Sequence, residues 1–414
     1  MDNKLYKTML IFDEYEKRFA KARIDKPFRD LTDDTVRTTV LSEIKKILGY
    51  KEELIPQISD LTETYHEDFE TYTVKQLRYQ TYKNCYGSAS LYMPKYGGIK
   101  PLIFIFCGHG GRGRLHPSYM FMGHRLAKMG FAVVIPDNLG QGDREGFGHK
   151  DTVAPFYCGI SLQGMILMES EAVVRHFTNK PYVDLSRVGC CGNSGGGTLS
   201  LFMAALSPEM KAIAATGYPS EFSFIMQKEK QHCLCNMLPG IGNGPEMWEV
   251  LSLFAPKPLF LEQGYNDHYF PQDLFIRNAR KVAAVYKAFS KRENFEYLTT
   301  KTKHSWENID RYHISNFFAK HFGMNEAVIE TDEDEALLLN AEKRVIKFPK
   351  NAITTDEVAQ NITGINMPEN TRFCDVFKPK FRGEYISEDD ICTDLIETDI
   401  MQIFAQMESY FAER

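Results

Sequence analysis

The N-terminal part of the chain carries a helical pattern of apolar residues. They recur at every fourth position: Val36, Val40, Ile44 and Leu48. Gly49 follows as a helix stop, and Asp33 or Thr32 could cap the start. Residues 1–66 are therefore predicted to form a helical N-terminal segment.

The apolar period shortens from four residues to two after about residue 70. Leu77 and Tyr79 alternate with polar residues, a turn follows at 84–87, and Ala89 and Leu91 resume the alternation. Alternation on both sides of a short turn predicts an antiparallel hairpin.

From residue 101 onwards, short unbroken apolar runs alternate with helical stretches. The runs are Leu102–Phe106, Phe131–Ile135, Arg187–Cys191, Ala212–Thr216, Pro258–Glu262 and Phe295–Thr299. Unbroken apolar strands suit a parallel sheet that is covered on both faces. Because helical faces separate several of them and a last helix is predicted near Ile309–His321, the core is predicted to be a layered α/β sheet.

An acidic run at 330–335 marks the predicted end of this core. The α/β core then spans 67–325, and a C-terminal extension spans 326–414. A helix with one apolar face is predicted over about 388–412. Since a bare face of that size would promote association, we expect the extension to dock on the core or to build a homodimer contact.

Composition excludes several classes of protein. The 414 residues hold 49 Lys+Arg against 55 Asp+Glu, a net charge of −6, which disfavours nucleic-acid binding through bulk positive charge. No apolar run reaches the roughly 20 residues of a membrane helix, and the N-terminus does not resemble a secretory signal. Nine cysteines, an odd number, disfavour a disulfide framework. We therefore expect a cytoplasmic protein with free thiols and no membrane partner.

The strongest chemical signal is the segment Gly192–Gly196, which has the pattern Gly-x-Ser-x-Gly. It follows a predicted strand and precedes a helical run, which is the setting of a nucleophile elbow. Ser194 would project from the turn as the nucleophile. The N–H of Gly195, at the start of the helix, could donate to a developing oxyanion. A phosphate-binding loop is the alternative, but the segment lacks the Gly-Lys-Ser/Thr ending.

A second glycine-rich loop, Gly108–Gly113, follows the strand predicted at Leu102–Phe106. Small residues there would let backbone N–H groups approach a substrate carbonyl. Gly110 and Gly111 are therefore predicted to complete the oxyanion hole with Gly195.

A serine nucleophile needs a base, and the base needs an acid to orient it. Asp267 lies just past the strand at Pro258–Glu262, and His304 lies between the last predicted strand and the last core helix. They are predicted to be the orienting acid and the base. The rival acid is Glu262, which falls within its strand, and the rival bases include His268 and His313.

A metal site and a nicotinamide cofactor are not expected. Cys233-Leu234-Cys235 after His232 hints at zinc, but no second Cys/His pair at finger-like spacing accompanies it. The glycines of Gly108–Gly113, after the first core strand, do not form a Gly-x-Gly-x-x-Gly motif of the dinucleotide-binding kind, so a nicotinamide cofactor is not expected.

These motifs together resemble α/β-hydrolases, in the acetylxylan-esterase-like and dienelactone-hydrolase-like branch. The likeness covers roughly residues 10–323 and rests on Gly108–Gly111, Pro136–Glu145, Gly192–Gly196, His232–Gly240, Ala255–Pro258, Gly264–Asp267 and His304–Trp306. It implies an α/β-hydrolase fold, with a mostly parallel central sheet flanked by helices. It also implies hydrolysis of a small or medium carboxylic ester through an acyl-enzyme on Ser194. The alternatives are an acyltransferase or peptidase on the same scaffold, and a non-catalytic binding protein.

Four further residues are candidates for substrate contacts: His109, Asn193, Arg144 and His232. For Arg144 the alternative is a structural ion cluster with Asp143 and Glu145, which would hold the loop after the second core strand.

Overall fold

The computed structural model describes residues 28–150, 152–227, 233–327, 337–371, 376, 380–381 and 384–385. His232, the acidic run at 330–335 and the helix predicted over 388–412 lie outside these residues.

A nine-stranded sheet forms the centre of the described chain, with the strand order β1-β2-β3-β5-β4-β6-β7-β8-β9. Its strands are β1 Ser59–Asp68, β2 Tyr72–Gln80, β3 Tyr86–Pro94, β4 Lys100–Phe106, β5 Ala132–Pro136, β6 Val183–Asn193, β7 Ala212–Thr216, β8 Leu259–Gly264 and β9 Phe295–Thr300. The first three strands and the junction of β3 with β5 are antiparallel, and the other pairs are parallel. The predicted hairpin and the six predicted core strands are confirmed, to within a few residues at their ends.

Helices cover both faces of this sheet. They are α1 Asp34–Leu48, α2 Pro117–Lys128, α3 Ala154–Tyr157, α4 Leu162–Thr178, α5 Gly195–Leu206, α6 Phe222–Gln227, α7 Met247–Ser252, α8 Gln272–Ala288, α9 Asn308–Phe322 and α10 Thr355–Thr363. A two-residue pair, β10 Lys380–Phe381 and β11 Glu384–Tyr385, lies apart from the main sheet. Apolar side chains of α2 and α9 fill one face of the sheet, and those of α1, α4, α5, α7 and α8 fill the other.

The helical segment predicted for residues 1–66 needs a correction. Helix α1 is present, with the Asp33 carboxylate accepting the N–H groups of Thr35 and Val36 and with Gly49 ending it at φ 65°. Residues 59–68, however, form the edge strand β1. Most of its side chains are exposed, so the segment carries no alternating apolar pattern. Pairing with β2, rather than burial, makes it a strand.

The described part of the extension, residues 337–371, packs on the core, while the helix on which the docking prediction rests lies outside the described residues. Leu337 and Val358 are fully buried. The Asp356 carboxylate accepts the N–H groups of Val153 and Ala154 at 3.0 and 2.9 Å, and so caps α3. The Arg344 carbonyl accepts a hydrogen bond from a buried core guanidinium. These contacts make the segment an added layer on the α/β core.

No helix in the part of the chain that the structure describes is both long and apolar enough to cross a membrane.

Candidate active site

Ser194 lies on the sharp turn between β6 and α5, with φ 59° and ψ −120°. This is a strained conformation for a residue with a side chain, and it occurs where the surrounding structure enforces it. The neighbouring glycines explain how the turn closes. A Cβ on Gly196 would lie 1.9 Å from the Phe106 carbonyl oxygen, and one on Gly192 would lie 2.3 Å from the Gly196 carbonyl oxygen. The predicted elbow is therefore present in the backbone.

The structure brings Ser194, Asp267 and His304 together in one hydrogen-bonded chain. His304 Nε2 lies 2.8 Å from Ser194 Oγ, and His304 Nδ1 lies 2.7 Å from Asp267 Oδ2. The three residues follow β6, β8 and β9, whose carboxyl ends meet at the same edge of the parallel sheet. Because Nδ1 faces a carboxylate, it carries the proton, and Nε2 is left to accept the serine hydroxyl.

Asp267 is held by donors on both carboxylate oxygens. Oδ1 accepts the N–H groups of Tyr269 and Phe270 at 2.7 and 3.3 Å, and Oδ2 also accepts the Gln263 amide at 2.6 Å. Only 1% of the Asp267 side chain is exposed, whereas 21% of the His304 side chain is. The acid is therefore fixed inside the protein, and the imidazole is open to a reactant.

Asn193, predicted as a substrate contact, instead connects the elbow to the loop that carries His304. Its Nδ2 donates to the His304 carbonyl at 3.1 Å, and its Oδ1 accepts the Thr216 hydroxyl at 3.1 Å. Both ends of the amide are used within the protein, and Asn193 is buried. That prediction is wrong, because side-chain direction at the elbow depends on tertiary packing.

Glu262, the rival acid, is buried beside Asp310 rather than beside the imidazole of His304. Burial and the negative charge of Asp310 raise the pKa of Glu262 well above its usual value. Among the described residues, it is His304, and not His268 or His313, that hydrogen-bonds Ser194.

The loop predicted to form the oxyanion hole approaches the elbow through its first two residues. A Cβ on Gly108 would lie 3.0 Å from Ser194 Cβ, and a Cβ on Gly195 would lie 2.7 Å from His109 Nδ1. The Gly108 N–H already donates to the Tyr119 hydroxyl at 2.6 Å. Gly110 and Gly111 have open space where a side chain would lie.

Arg144, another predicted substrate contact, is buried and paired. Its guanidinium lies 2.6 and 2.9 Å from the two carboxylate oxygens of Glu169 on α4. Burial opposes the charged form, but Glu169 outweighs it and raises the pKa of Arg144. The Arg144 guanidinium is 3% exposed and donates two hydrogen bonds to Glu169. It therefore does not reach a substrate, and the prediction of a substrate contact is wrong.

Ion pairs hold the loop after β5, which is the alternative given above for Arg144. The residues that pair with Asp143 and Arg144, however, lie outside the loop. Arg114, which is fully buried, lies 2.5 Å from Asp137 and 2.6 Å from Asp143. Burial raises the pKa of Asp143 despite this guanidinium. The partners, Arg114 and Glu169, come from the connection between β4 and α2 and from α4, so the sequence of the loop alone did not show them.

A cluster of four metal-type ligands lies next to the elbow: His109, His149, Cys233 and Cys235, hereafter the His/Cys quartet. Their donor atoms all lie within 4.8 Å of one another. Burial would raise the pKa of the Cys233 thiol, but the hydrogen bond from Cys235 and the two imidazoles outweigh burial and lower it. The sequence predicted no metal site, because no second Cys/His pair stands at finger-like spacing; the two histidines lie 84 and 126 residues from the cysteines that they contact.

Comparisons with known proteins find similarity to esterases. A family model for acetyl xylan esterases (AXE1) matches residues 52–233. YtaP of Bacillus subtilis (strain 168), named as a hydrolase, is 21% identical over 236 residues, or 54% of this chain and 79% of YtaP. Among solved structures, the methylesterase BT1017 has a TM-score of 0.62 at 21% identity and covers 84% of this chain and 78% of its own. A glucuronoyl esterase from Solibacter usitatus has a TM-score of 0.55 at 12% identity and covers 70% of this chain and 93% of its own.

The protein has the α/β-hydrolase fold that the sequence predicted. The class predicted with it, the carboxylic ester hydrolases, is also the class of the matching family model and of these structures. The matched range, 52–233, includes the elbow and the loop at 108–111 but stops before Asp267 and His304.

Proposed function

We propose that the protein is a serine esterase that hydrolyses a small carboxylic ester through an acyl-enzyme on Ser194. The observation that carries this proposal is the unbroken hydrogen-bonded chain from Ser194 through His304 to Asp267. The strained elbow places the hydroxyl beside the base. Ser194 and His304 are partly exposed to solvent, whereas Asp267 is buried.

In the first half of the reaction, Ser194 Oγ attacks the ester carbonyl carbon and its proton passes to His304 Nε2. Asp267 stabilises the resulting imidazolium without taking the proton. The tetrahedral intermediate then collapses, and His304 gives the proton to the departing alcohol oxygen. In the second half, water attacks the acyl-enzyme, His304 takes its proton, and the acid leaves as Ser194 recovers its hydrogen.

The negative charge on the carbonyl oxygen needs two donors. Gly195 is the first residue of α5, so its N–H has no acceptor within the helix and is the first donor. For the second we propose the backbone N–H of His109 rather than those of Gly110 or Gly111. His109 is the loop residue that packs on Gly195, and the N–H of Gly108 is already used by Tyr119.

For the substrate we propose an ester on a carbohydrate in which one of the two joined groups is small. The proposal is supported by two of the names: an acetyl xylan esterase acts on an ester with a small acyl group, and a methylesterase acts on one with a small alcohol group. The glucuronoyl esterase is named for a sugar-acid ester. The expected partner is therefore a small or medium ester, and the expected location is cytoplasmic because the described cysteines are free thiols.

A fluorophosphonate probe tests the proposal directly, because it labels only a serine that a base activates. The wild-type chain should be labelled at Ser194, and Ser194→Ala should not be labelled. Initial rates on p-nitrophenyl acetate, butyrate and octanoate would then compare acyl lengths, with acetate expected to be the best. An unlabelled, correctly folded wild-type protein would contradict a serine esterase, and a preference for octanoate would contradict a small acyl group.

A further inference from the structure

We propose that the His/Cys quartet binds one zinc-class divalent metal ion beside the nucleophile elbow. Cys233 Sγ lies 2.8 Å from His149 Nε2, and Cys235 Sγ lies 3.2 Å from His109 Nε2. The two Nε2 atoms are 3.2 Å apart, and the two sulfurs are 3.0 Å apart. Four donors therefore converge on one point from three separate loops.

The donor set and its spacing fit this ion. Two thiolates and two imidazoles are the ligands of structural zinc sites, and tetrahedral bond lengths place such donors roughly 3.3–3.8 Å apart. The four donor pairs given above are 2.8, 3.2, 3.2 and 3.0 Å apart, slightly closer than these distances. All four donor atoms lie within 4.8 Å of one another. Shifts of less than about 1 Å in the side chains would therefore open the quartet into a tetrahedron.

The orientation of His149 suits a metal ligand. Its Nδ1 lies 2.7 Å from the Leu139 carbonyl oxygen, an acceptor, so Nδ1 carries the proton. Nε2 then keeps its lone pair, which faces Cys233, and the Gln141 amide donates toward it from 3.2 Å. A carbonyl that fixes the tautomer of a ligating histidine is the usual support of a protein metal site.

The quartet would fill all four positions around the ion, so the site is structural and leaves none for a reactant. It joins the loop at 108–111, the loop after β5 and the segment around Leu234–Asn236. Because the His109 ring packs on Gly195, an ion held there would also fix the backbone of the oxyanion loop. Three of the ligands are buried and His109 is exposed, which leaves the ion a route from solvent.

The competing explanation is a redox pair, in which Cys233 and Cys235 lose two electrons and two protons to an oxidant and form a disulfide. Their sulfurs are 3.0 Å apart, which is longer than the roughly 2.05 Å of a disulfide bond, so they are two thiols in this structure. The experiment must separate these explanations without relying on esterase activity.

The test measures metal content in the full-length chain after dialysis against micromolar Zn²⁺ and gel filtration under reducing conditions. Wild type should hold about one zinc per chain, and Cys233→Ser and Cys235→Ser should hold less than about 0.1. The matched control is Cys158→Ser, which changes a buried thiol that contacts the Ile365 carbonyl and should keep the metal. Co²⁺ in the wild-type chain should give the visible and near-ultraviolet bands of tetrahedral thiolate coordination, a readout that needs no variant.

Several outcomes would overturn the proposal. One is a wild-type chain that retains no zinc, and another is a Cys233→Ser variant that retains as much zinc as wild type. A third is a Co²⁺ spectrum without thiolate bands. The last is a mass 2 Da below that of the dithiol, which indicates a Cys233–Cys235 disulfide, in a chain that still binds no metal after that disulfide is reduced. Ser194→Ala should still bind one zinc, since Ser194 is not a ligand. Metal binding and esterase activity can therefore fail independently.

Discussion

The hydrogen-bonded chain of Ser194, His304 and Asp267 at the sheet edge and the ion pairs beneath the loop after β5 both join a basic side chain to a carboxylate, but in opposite ways. At the edge, His304 is 21% exposed and its partners leave Nε2 facing the hydroxyl of Ser194. Beneath the loop, Arg144 and its partner Glu169 are at most 5% exposed and bond each other through two contacts.

This difference teaches that exposure, not residue type, separates reactive from structural polar groups in this protein. A buried pair with both partners satisfied holds the fold, and removing one partner leaves an uncompensated charge. A partly exposed imidazole such as that of His304, whose Nε2 faces a serine hydroxyl, can meet a substrate. Variants of the two regions should therefore separate rate from stability.

The largest expected effect is on the rate of Ser194→Ala. Loss of the nucleophile should lower kcat on p-nitrophenyl acetate by at least about a thousandfold, and up to roughly a millionfold. The melting temperature should stay close to that of wild type, because the hydroxyl points out of the turn. Kinetics and a thermal melt on the same preparation check both parts. Turnover near the wild-type rate would disprove the role of Ser194.

Asp267→Asn should lower kcat by about 10²–10⁴-fold, because the amide cannot hold the Nδ1 tautomer in the same way. His304→Ala should lower it further. If the two residues act as one unit, the Asp267→Asn/His304→Ala double variant should be about as slow as the worse single variant. The double-mutant cycle in kcat measures this. Two losses that multiply would show that the residues act independently.

Arg144→Met should lower the stability of the protein and leave its reaction rate unchanged. It leaves the buried Glu169 carboxylate without its main partner, and the free energy of unfolding should fall by about 3–5 kcal/mol. Under native conditions the fluorophosphonate labelling rate should be unchanged. Urea unfolding measures the loss, and Arg144→Met/Glu169→Leu should restore most of it.

The matched control for this variant is Arg187→Met, which removes a half-exposed ion pair with Asp184 and should cost less than about 1 kcal/mol. If Arg144→Met stayed fully stable but lost its labelling, Arg144 would belong with the catalytic chain after all.

A smaller effect is expected from Glu171 on α4, another buried carboxyl. Burial and the negative charge of Glu209 raise its pKa to about 8, although Arg175 lies 3.4 Å away. The folded chain therefore keeps a proton that the unfolded chain releases near pH 4.5. The free energy of unfolding should then fall as pH rises from about 4.5 to about 8.

Glu171→Gln should flatten this decline, by on the order of 1–2 kcal/mol across that range. Urea unfolding at several pH values measures it. Glu63→Gln is the control, because the pKa of Glu63 is lowered and its titration lies below that range. A variant whose stability falls with pH as steeply as that of wild type would contradict a protonated Glu171.

Much of the fold could be predicted because its signals are local. Gly49 and Gly323 end helices at positive φ, and unbroken apolar runs mark strands that are covered on both faces. The edge strand β1 carried no apolar pattern of this kind. Most of its side chains are exposed, so its polar residues do not alternate with buried apolar ones.

The sequence by itself determined the order of the core elements and predicted the three residues of the hydrogen-bonded chain, Ser194, His304 and Asp267. Each of those residues directly follows a strand, and the carboxyl ends of parallel strands must meet at one edge. Only the tertiary structure decided which polar side chains face a reactant and which face each other. Asn193, Arg144 and the His/Cys quartet find their partners tens to hundreds of residues away in the chain. Such pairings depend on how separate loops pack, and no spacing along a single segment encodes them.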